Sequence, residues 1–272
     1  MTASLQSARS KWKRACEHYE ALKADLVGPH PLMPWVHDYP VTPEIHSGGL
    51  EYRFYVDLPP FKSEPCSVLA GDCLFNLRAA LDHIVYALHE RRYRGKIPTA
   101  LIEKTQFPIL TRPRRDKRHN PIPTHCWHDI GTLSIKQRRA IEFLQPYKRR
   151  NDKFSEMREL LGELWILNNI DKHRHLHVAR EIVGGVALPS WPDCYGFSHQ
   201  VFFVPLEGKT EVFRWTFDAI PPDITEKVQM HRHVNGGVAL EEGGQPAMLL
   251  YRLDQIVNAV DTIIRRFGVF FR

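Results

Sequence analysis

Asn76-Leu-Arg-Ala-Ala-Leu-Asp-His83 is the stretch on which the reading of the fold turns. It lies within Cys66–Arg92, where Leu74, Leu77, Leu81, Ile84, Val85 and Leu88 recur at helical spacing and predict a helix over roughly 65–92. A neighbouring stripe runs through Asn76, Ala80, His83 and Ala87. Its two alanines would admit another helix at close range, so His83 is expected at a helix–helix contact. A second polar interruption, Asn168-Asn-Ile-Asp-Lys-His-Arg174, closes a helix that begins near Asp152. Phe154, Met157, Leu160, Leu161, Leu164 and Leu167 point that helix to the core, and Asn168, Asp171 and His175 continue the stripe begun by Leu164. The pairing of these two interrupted helices is expected to organise the chain.

Outward from this pair, residues 4–27 read as an amphipathic helix through Leu5, Ala8, Trp12, Ala15, Tyr19, Leu22 and Leu26. Leu50, Tyr52, Phe54, Val56 and Leu58 alternate with polar neighbours, which is the period of a half-buried strand. Gly48-Gly49 turns into it, from a partner strand near 36–46. Residues 93–132 hold five prolines and the basic run 112–118, and read as an irregular surface loop. Residues 134–145 predict a short helix with Ile135, Ile141 and Leu144 inward, stopped by Pro146. Between 180 and 240 the period changes to that of strands: 181–188, 197–204, 210–217 and 226–240. Gly184-Gly185, Gly236-Gly237 and Gly243-Gly244 read as bulges or turns. The wide apolar face of 247–271 predicts a closing helix that docks on the first and central helices or on a second subunit. The expected class is α+β, a bundle of about five helices with a small antiparallel sheet. One domain is expected over 1–272, with the bundle at 1–179 and 247–272 and the β-rich segment inserted at 180–240.

The chain has 272 residues, enough for a sizeable core. Its net charge of +6 suits an anionic partner such as RNA, though solubility alone accounts for a charge of that size. Five cysteines without a CxxC pair argue against a complete disulfide framework or a zinc ribbon, and fit reduced thiols in a cytoplasm. No signal-peptide core and no run of about 18 apolar residues is present, so a membrane span is not expected. GxGxxG, GxxxxGK[ST] and GxSxG are all missing.

Arg78 and His83 are separated by four residues on the central helix. This Arg-x4-His resembles the signature of the HEPN ribonucleases, all-helical bundles in which arginine and histidine of paired domains cleave RNA without a metal. Such chemistry needs a base for the 2′-hydroxyl proton and a cation for the charge that builds on phosphorus. The resemblance implies an acid/base role for His83, a phosphate role for Arg78, orienting roles for Asn76 and Asp82, a homodimer, and no cofactor. The strands at 180–240 depart from a minimal bundle of that family. The two polar runs together also look like a broad group of uncharacterised bacterial proteins. That likeness implies one constellation, in which Asn168, Asp171, Lys172, His173 and Arg174 add to the site.

Two other readings stand beside it. Arg78 and Asp82 are one turn apart and can pair on their own helix, which makes the polar cluster a packing device in a non-enzymatic interaction or anion-binding module. A metal-dependent hydrolase would use His173 and His177, His231 and His233, or His125, Cys126 and His128, but no recognised ligand set completes a site. The spacing recurs at Arg114 and His119, in the proline-rich segment, where no helix is expected to orient it.

Overall fold

The computed structural model describes residues 4–26, 36–58, 61–102, 105–122, 127, 130–148, 152–173, 176, 178–182, 195–201, 208–230, 233–240 and 247–272. The fold is α+β. The chain divides into two compact units, one made of Met1–Leu22, Val68–Leu176 and Arg252–Arg272, the other of Lys23–Ser67 and His177–Tyr251.

The first unit is built on four long helices: α1 (Gln6–Leu26), α2 (Ser63–Arg92), α5 (Ser155–His173) and α7 (Leu249–Phe267). Ala70, Cys73, Leu74, Leu77, Ala80, Leu81, Ile84, Val85, Ala87 and Leu88 are all buried, so α2 is covered on more than one side, as its near-continuous apolar sequence requires. It stops where Arg94 and Gly95 take positive φ and the Gly95 N–H bonds the Glu90 carbonyl at 2.9 Å. On α1, Ser7 meets His83 and His18 meets Asp72, so equal steps along the two helices run in opposite directions and the pair is antiparallel. Trp12 Nε1 donates to the Val257 carbonyl at 3.1 Å, which docks α7 on α1.

Two short helices, α3 (Thr99–Ile102) and α4 (Ile135–Phe143), complete this unit. Ser134 and Gln137 form a capping box at the start of α4. Ile141 and Leu144 are buried as expected, but Ile135 is 51% exposed: it occupies the first turn, which overhangs the core. The expectation of a surface loop over 93–132 is corrected. Phe107, Ile109, Trp127 and Ile130 are buried, and Gln145, itself fully buried, clamps the segment to α4. Its Oε1 accepts from Leu110 N at 2.9 Å and its Nε2 donates to the Pro108 carbonyl at 2.8 Å. Beyond the single turn of α3, prolines interrupt regular structure there, yet isolated bulky side chains still find the core.

Among the described residues the second unit contains two antiparallel sheets rather than one. In the first, β1 (Val36–Pro40), β7 (His233–Leu240) and β4 (Val178–Ile182) lie in that order, with β8 (Ala247–Met248) on β7. In the other, the order is β2 (Thr42–His46), β3 (Glu51–Leu58), β6 (Gly208–Thr216) and β5 (Ser198–Val201). Tyr52, Phe54 and Val56 of β3 are buried as the alternation predicts. A register shift after Phe54 inserts an extra residue in β6, which explains why the consecutive Val212 and Phe213 are both buried. Phe54 stacks on Phe213 at 4.1 Å and tilts against Trp215 at 4.6 Å. Gly49 takes φ +96°, and a Cβ there would sit 2.9 Å from Ile220 Cδ1, so the turn into β3 needs glycine on both counts. Gly236 and Gly237 pair regularly on both sides of β7, not in a bulge, whereas 184–185 and 243–244 lie outside the described residues.

The expected strand over 226–240 begins only at His233. Residues Ile224–Met230 form a helix, α6, in which Ile224 and Val228 are buried one turn apart. Pro221-Pro222-Asp223 starts it, and Lys227 pairs with Asp223 at 3.2 Å. The alternation of Val228 and Met230 is real, but the apolar pair four residues apart decides the structure.

Candidate functional site

The polar run of α2 distributes its side chains over three surroundings. Arg78 Nη2 pairs with Asp82 Oδ1 at 3.0 Å, the one-turn contact anticipated from the sequence. The same oxygen accepts the Phe107 backbone N–H at 2.8 Å. Asp82 therefore joins its own helix to the irregular segment, and that segment's amide has its partner. Burial raises the Asp82 carboxyl above its usual range; Arg78, the Phe107 N–H, Lys172 and His83 oppose that shift without cancelling it.

His83 is at a helix–helix contact, and the partner helix is α1. Its Nδ1 lies 2.6 Å from Ser7 Oγ. Burial lowers the imidazole pKa, Lys11 lowers it further, and Asp82 acts in the opposite sense. The ring is half-buried and is held towards its neutral form. Asn76 is buried and spends Nδ2 on the Asp72 carbonyl of its own helix at 2.8 Å.

Asp171 of α5 packs against α2 at Gly71. A Cβ on Gly71 would lie 2.2 Å from Asp171 Oδ1, so the absence of a side chain is what admits the Asp171 carboxylate. Asn168 is 2% exposed, and its Oδ1 finds no hydrogen-bond partner among the described residues. Lys172 is exposed yet adds its charge to the surroundings of Asp82. His173 is exposed at the end of α5. Arg174 and His175 lie outside the described residues, as do His125, Cys126, His128, His177 and His231.

The second run thus meets α2 through Asp171 at Gly71, ahead of the run that starts at Asn76, and Lys172 adds its charge to the surroundings of Asp82. Arg78 and Asp82 form one group, His83 and Ser7 another, and Asn76 is absorbed by backbone. Among the described residues no group of three or more His, Cys, Asp or Glu is arranged to hold a metal, and no helix is long and apolar enough to cross a membrane. Ser7, Lys11, Gly71 and the Phe107 amide were not singled out by sequence. Their roles come from helix register and from a backbone N–H, neither of which has a side-chain signature. Arg114, by contrast, stacks over Trp127 at 5.5 Å and His119 occupies a turn with φ +62°, so the second Arg-x4-His is not on a helix.

Comparison with family models, curated proteins and solved structures gives no match to this chain.

Proposed function

We propose that the chain acts on RNA through His83 and Arg78, as a metal-independent endoribonuclease of HEPN-like type. The observation that carries this reading is the contact of His83 Nδ1 with Ser7 Oγ at 2.6 Å. Burial and Lys11 favour the neutral ring, which is the form a general base must have. Ser7 holds Nδ1, and with Nδ1–H donating to Ser7 Oγ, Nε2 carries the lone pair that would take a 2′-hydroxyl proton. Arg78, one and a half turns earlier on α2, supplies the cation for the phosphorane charge, with its guanidinium held by Asp82. Lys172 adds positive charge near the same carboxylate. A HEPN-like site is completed by a second copy, so the reading includes a homodimer.

The second reading is a non-enzymatic interaction or anion-binding module in which the cluster is structural. It is favoured by Asp82 Oδ1, which serves Arg78 and the Phe107 amide at once, a packing task that needs no substrate.

Wild type, His83→Gln and Arg78→Lys are incubated with structured RNA in EDTA, with thermal unfolding and sedimentation recorded alongside. EDTA-resistant cleavage by a wild-type dimer, lost in His83→Gln at unchanged stability, is the expected result. No cleavage by wild type, or equal cleavage by all three proteins, overturns the nuclease reading and leaves the structural one.

A further inference from the structure

A second polar feature of the helical unit shares no residue with the Arg78–His83 turn. Phe143 at the end of α4 and Phe154 just before α5 meet edge to face at 5.1 Å. The Arg266 guanidinium lies over both rings, 5.1 Å from the Phe143 centroid and 4.7 Å from that of Phe154. Arg158 covers Phe143 at 4.9 Å and Lys153 covers Phe154 at 5.3 Å. Beside them opens a cavity of about 330 Å³ lined by Arg139, Glu142, Phe143, Lys148 and Arg158. That volume is within the range of small-ligand pockets, about 300–1,000 Å³.

The members of this cluster have different commitments. Arg158 is buried and fixed, donating to Asp152 Oδ2 at 2.8 Å and to the Phe143 carbonyl at 3.0 Å, so it belongs to the floor. Glu142 is compensated by Lys148 at 2.7 Å and by the Tyr147 hydroxyl, whose pKa that carboxylate helps to push up to about 12 after burial. Arg139 and Arg266 are exposed, and among the described residues neither has a carboxylate partner. Among the described residues that line it, three cations, Arg139, Lys148 and Arg158, face one carboxylate, Glu142, which leaves the cavity positively charged.

We propose that this cavity binds a nucleotide unit, a phosphate joined to a base, either free or as one residue of a single nucleic-acid strand. The Phe rings are already covered by cations, so the base stacks on the solvent side of the exposed Arg266 guanidinium, which lies over both rings beside the cavity. The phosphate is taken at the rim by Arg139, the exposed lining cation that has no carboxylate partner among the described residues. The combination matters: cations alone would suit any anion, and a cavity this charged would not suit an apolar ligand.

The test uses the full chain and a fluorescein-labelled 2′-O-methyl oligonucleotide, which no chemistry at the 2′-hydroxyl can cut, so that loss of cleavage and loss of binding are separate readouts. Anisotropy titrations compare wild type with Arg139→Glu, Arg266→Gln and, as a charge control away from the cavity, the exposed Lys136→Glu. Expected is about a tenfold loss of affinity in each arginine variant, from the strength of charge-assisted contacts, with unfolding temperatures unchanged and the control near wild type. Displacement by AMP identifies a free nucleotide as ligand; affinity that depends on both arginines but resists AMP identifies a strand. The proposal is overturned if wild type binds neither probe, if the arginine variants bind as wild type, if Lys136→Glu loses as much, or if inorganic phosphate displaces the probe as well as AMP.

Discussion

Gly71→Ala probes the contact between α2 and α5. The new Cβ would stand 2.2 Å from Asp171 Oδ1, 2.7 Å from Cγ and 2.8 Å from Oδ2, where ordinary contact begins at 3.4 Å. The oxygen has to retreat by about 1.2 Å, the difference between those two distances. Asp171 is short, and it has interactions of its own that a swing would break. The cheaper response is for the helices to part, which costs about 1–3 kcal/mol in an overpacked interior. Against this, alanine inside a helix gains about 1 kcal/mol over glycine. The net expectation is destabilisation by up to about 2 kcal/mol, despite a substitution that should stabilise an isolated helix.

Asp171→Ala separates these two effects. With the carboxylate gone the clash disappears, and Gly71→Ala should then stabilise by up to about 1 kcal/mol. A double-mutant cycle in urea, followed by far-UV circular dichroism, should yield a coupling of about 1–3 kcal/mol. A stabilising Gly71→Ala in the wild-type background, or a coupling near zero, would refute the close approach of Asp171 to Gly71.

Four further outcomes are expected. The raised Asp82 carboxyl means that the folded state holds its proton more tightly than the unfolded state, so this group's contribution is full below the ordinary carboxylate pKa and is lost as pH rises through the folded value; the stability of wild type relative to Asp82→Asn should therefore increase as urea titrations move from neutral to acid pH. His83 has the opposite sign: its contribution is present above the unfolded pKa of about 6.5 and is lost as pH falls through the lowered folded value, and NMR titration should find its ring below ordinary imidazole, with a value at or above 6.5 counting against it. Gln145→Ala should cost about 2–4 kcal/mol, because it orphans the half-buried Leu110 N–H and the buried Pro108 carbonyl together, and amide exchange at Leu110 should accelerate; unchanged exchange would show that the clamp is dispensable. Phe54→Ala should cost about 3–5 kcal/mol by emptying the stack with Phe213 and Trp215, read as a lowered denaturant midpoint; a loss under about 1 kcal/mol would mean that this core collapses to fill the gap.

The long helices and β3 were legible because each carries its own period over many residues. The Arg78–Asp82 pair was legible for the same reason, since one helical turn is a local distance. What failed was either short or non-local. Ile224–Met230 offers only seven residues, and its Val-x-Met alternation competes with the Ile224–Val228 spacing that wins. Phe107 and Trp127 are buried from a segment without period, where prolines signal irregularity but say nothing about depth. His83 was expected against another helix, and it is; Ser7 as its partner depends on the α1–α2 register, which no local pattern encodes. Gly71 sits unremarked inside an apolar stretch, and only the carboxylate pressed against it gives it a role.

Helix geometry explains why one eight-residue run carries two separable tasks. At about 100° per residue, Arg78 and Asp82 fall about 40° apart, while Asn76 and His83 fall about 20° apart on a different face. The first face joins Asp82 to the Phe107 amide, so its loss strands a backbone donor and must register as stability. The second meets α1, where His83 contacts a serine hydroxyl and lies within the field of Lys11. A lysine near a half-buried imidazole contributes nothing to packing that a neutral residue would not, and its electrostatic effect is to disfavour the protonated ring. The two faces of the run therefore meet different neighbours, the irregular segment at Arg78 and Asp82 and α1 at His83. The proposed chemistry draws on both, with His83 as base and Arg78 as cation about 140° away around the helix, so it needs each of them and not one face alone.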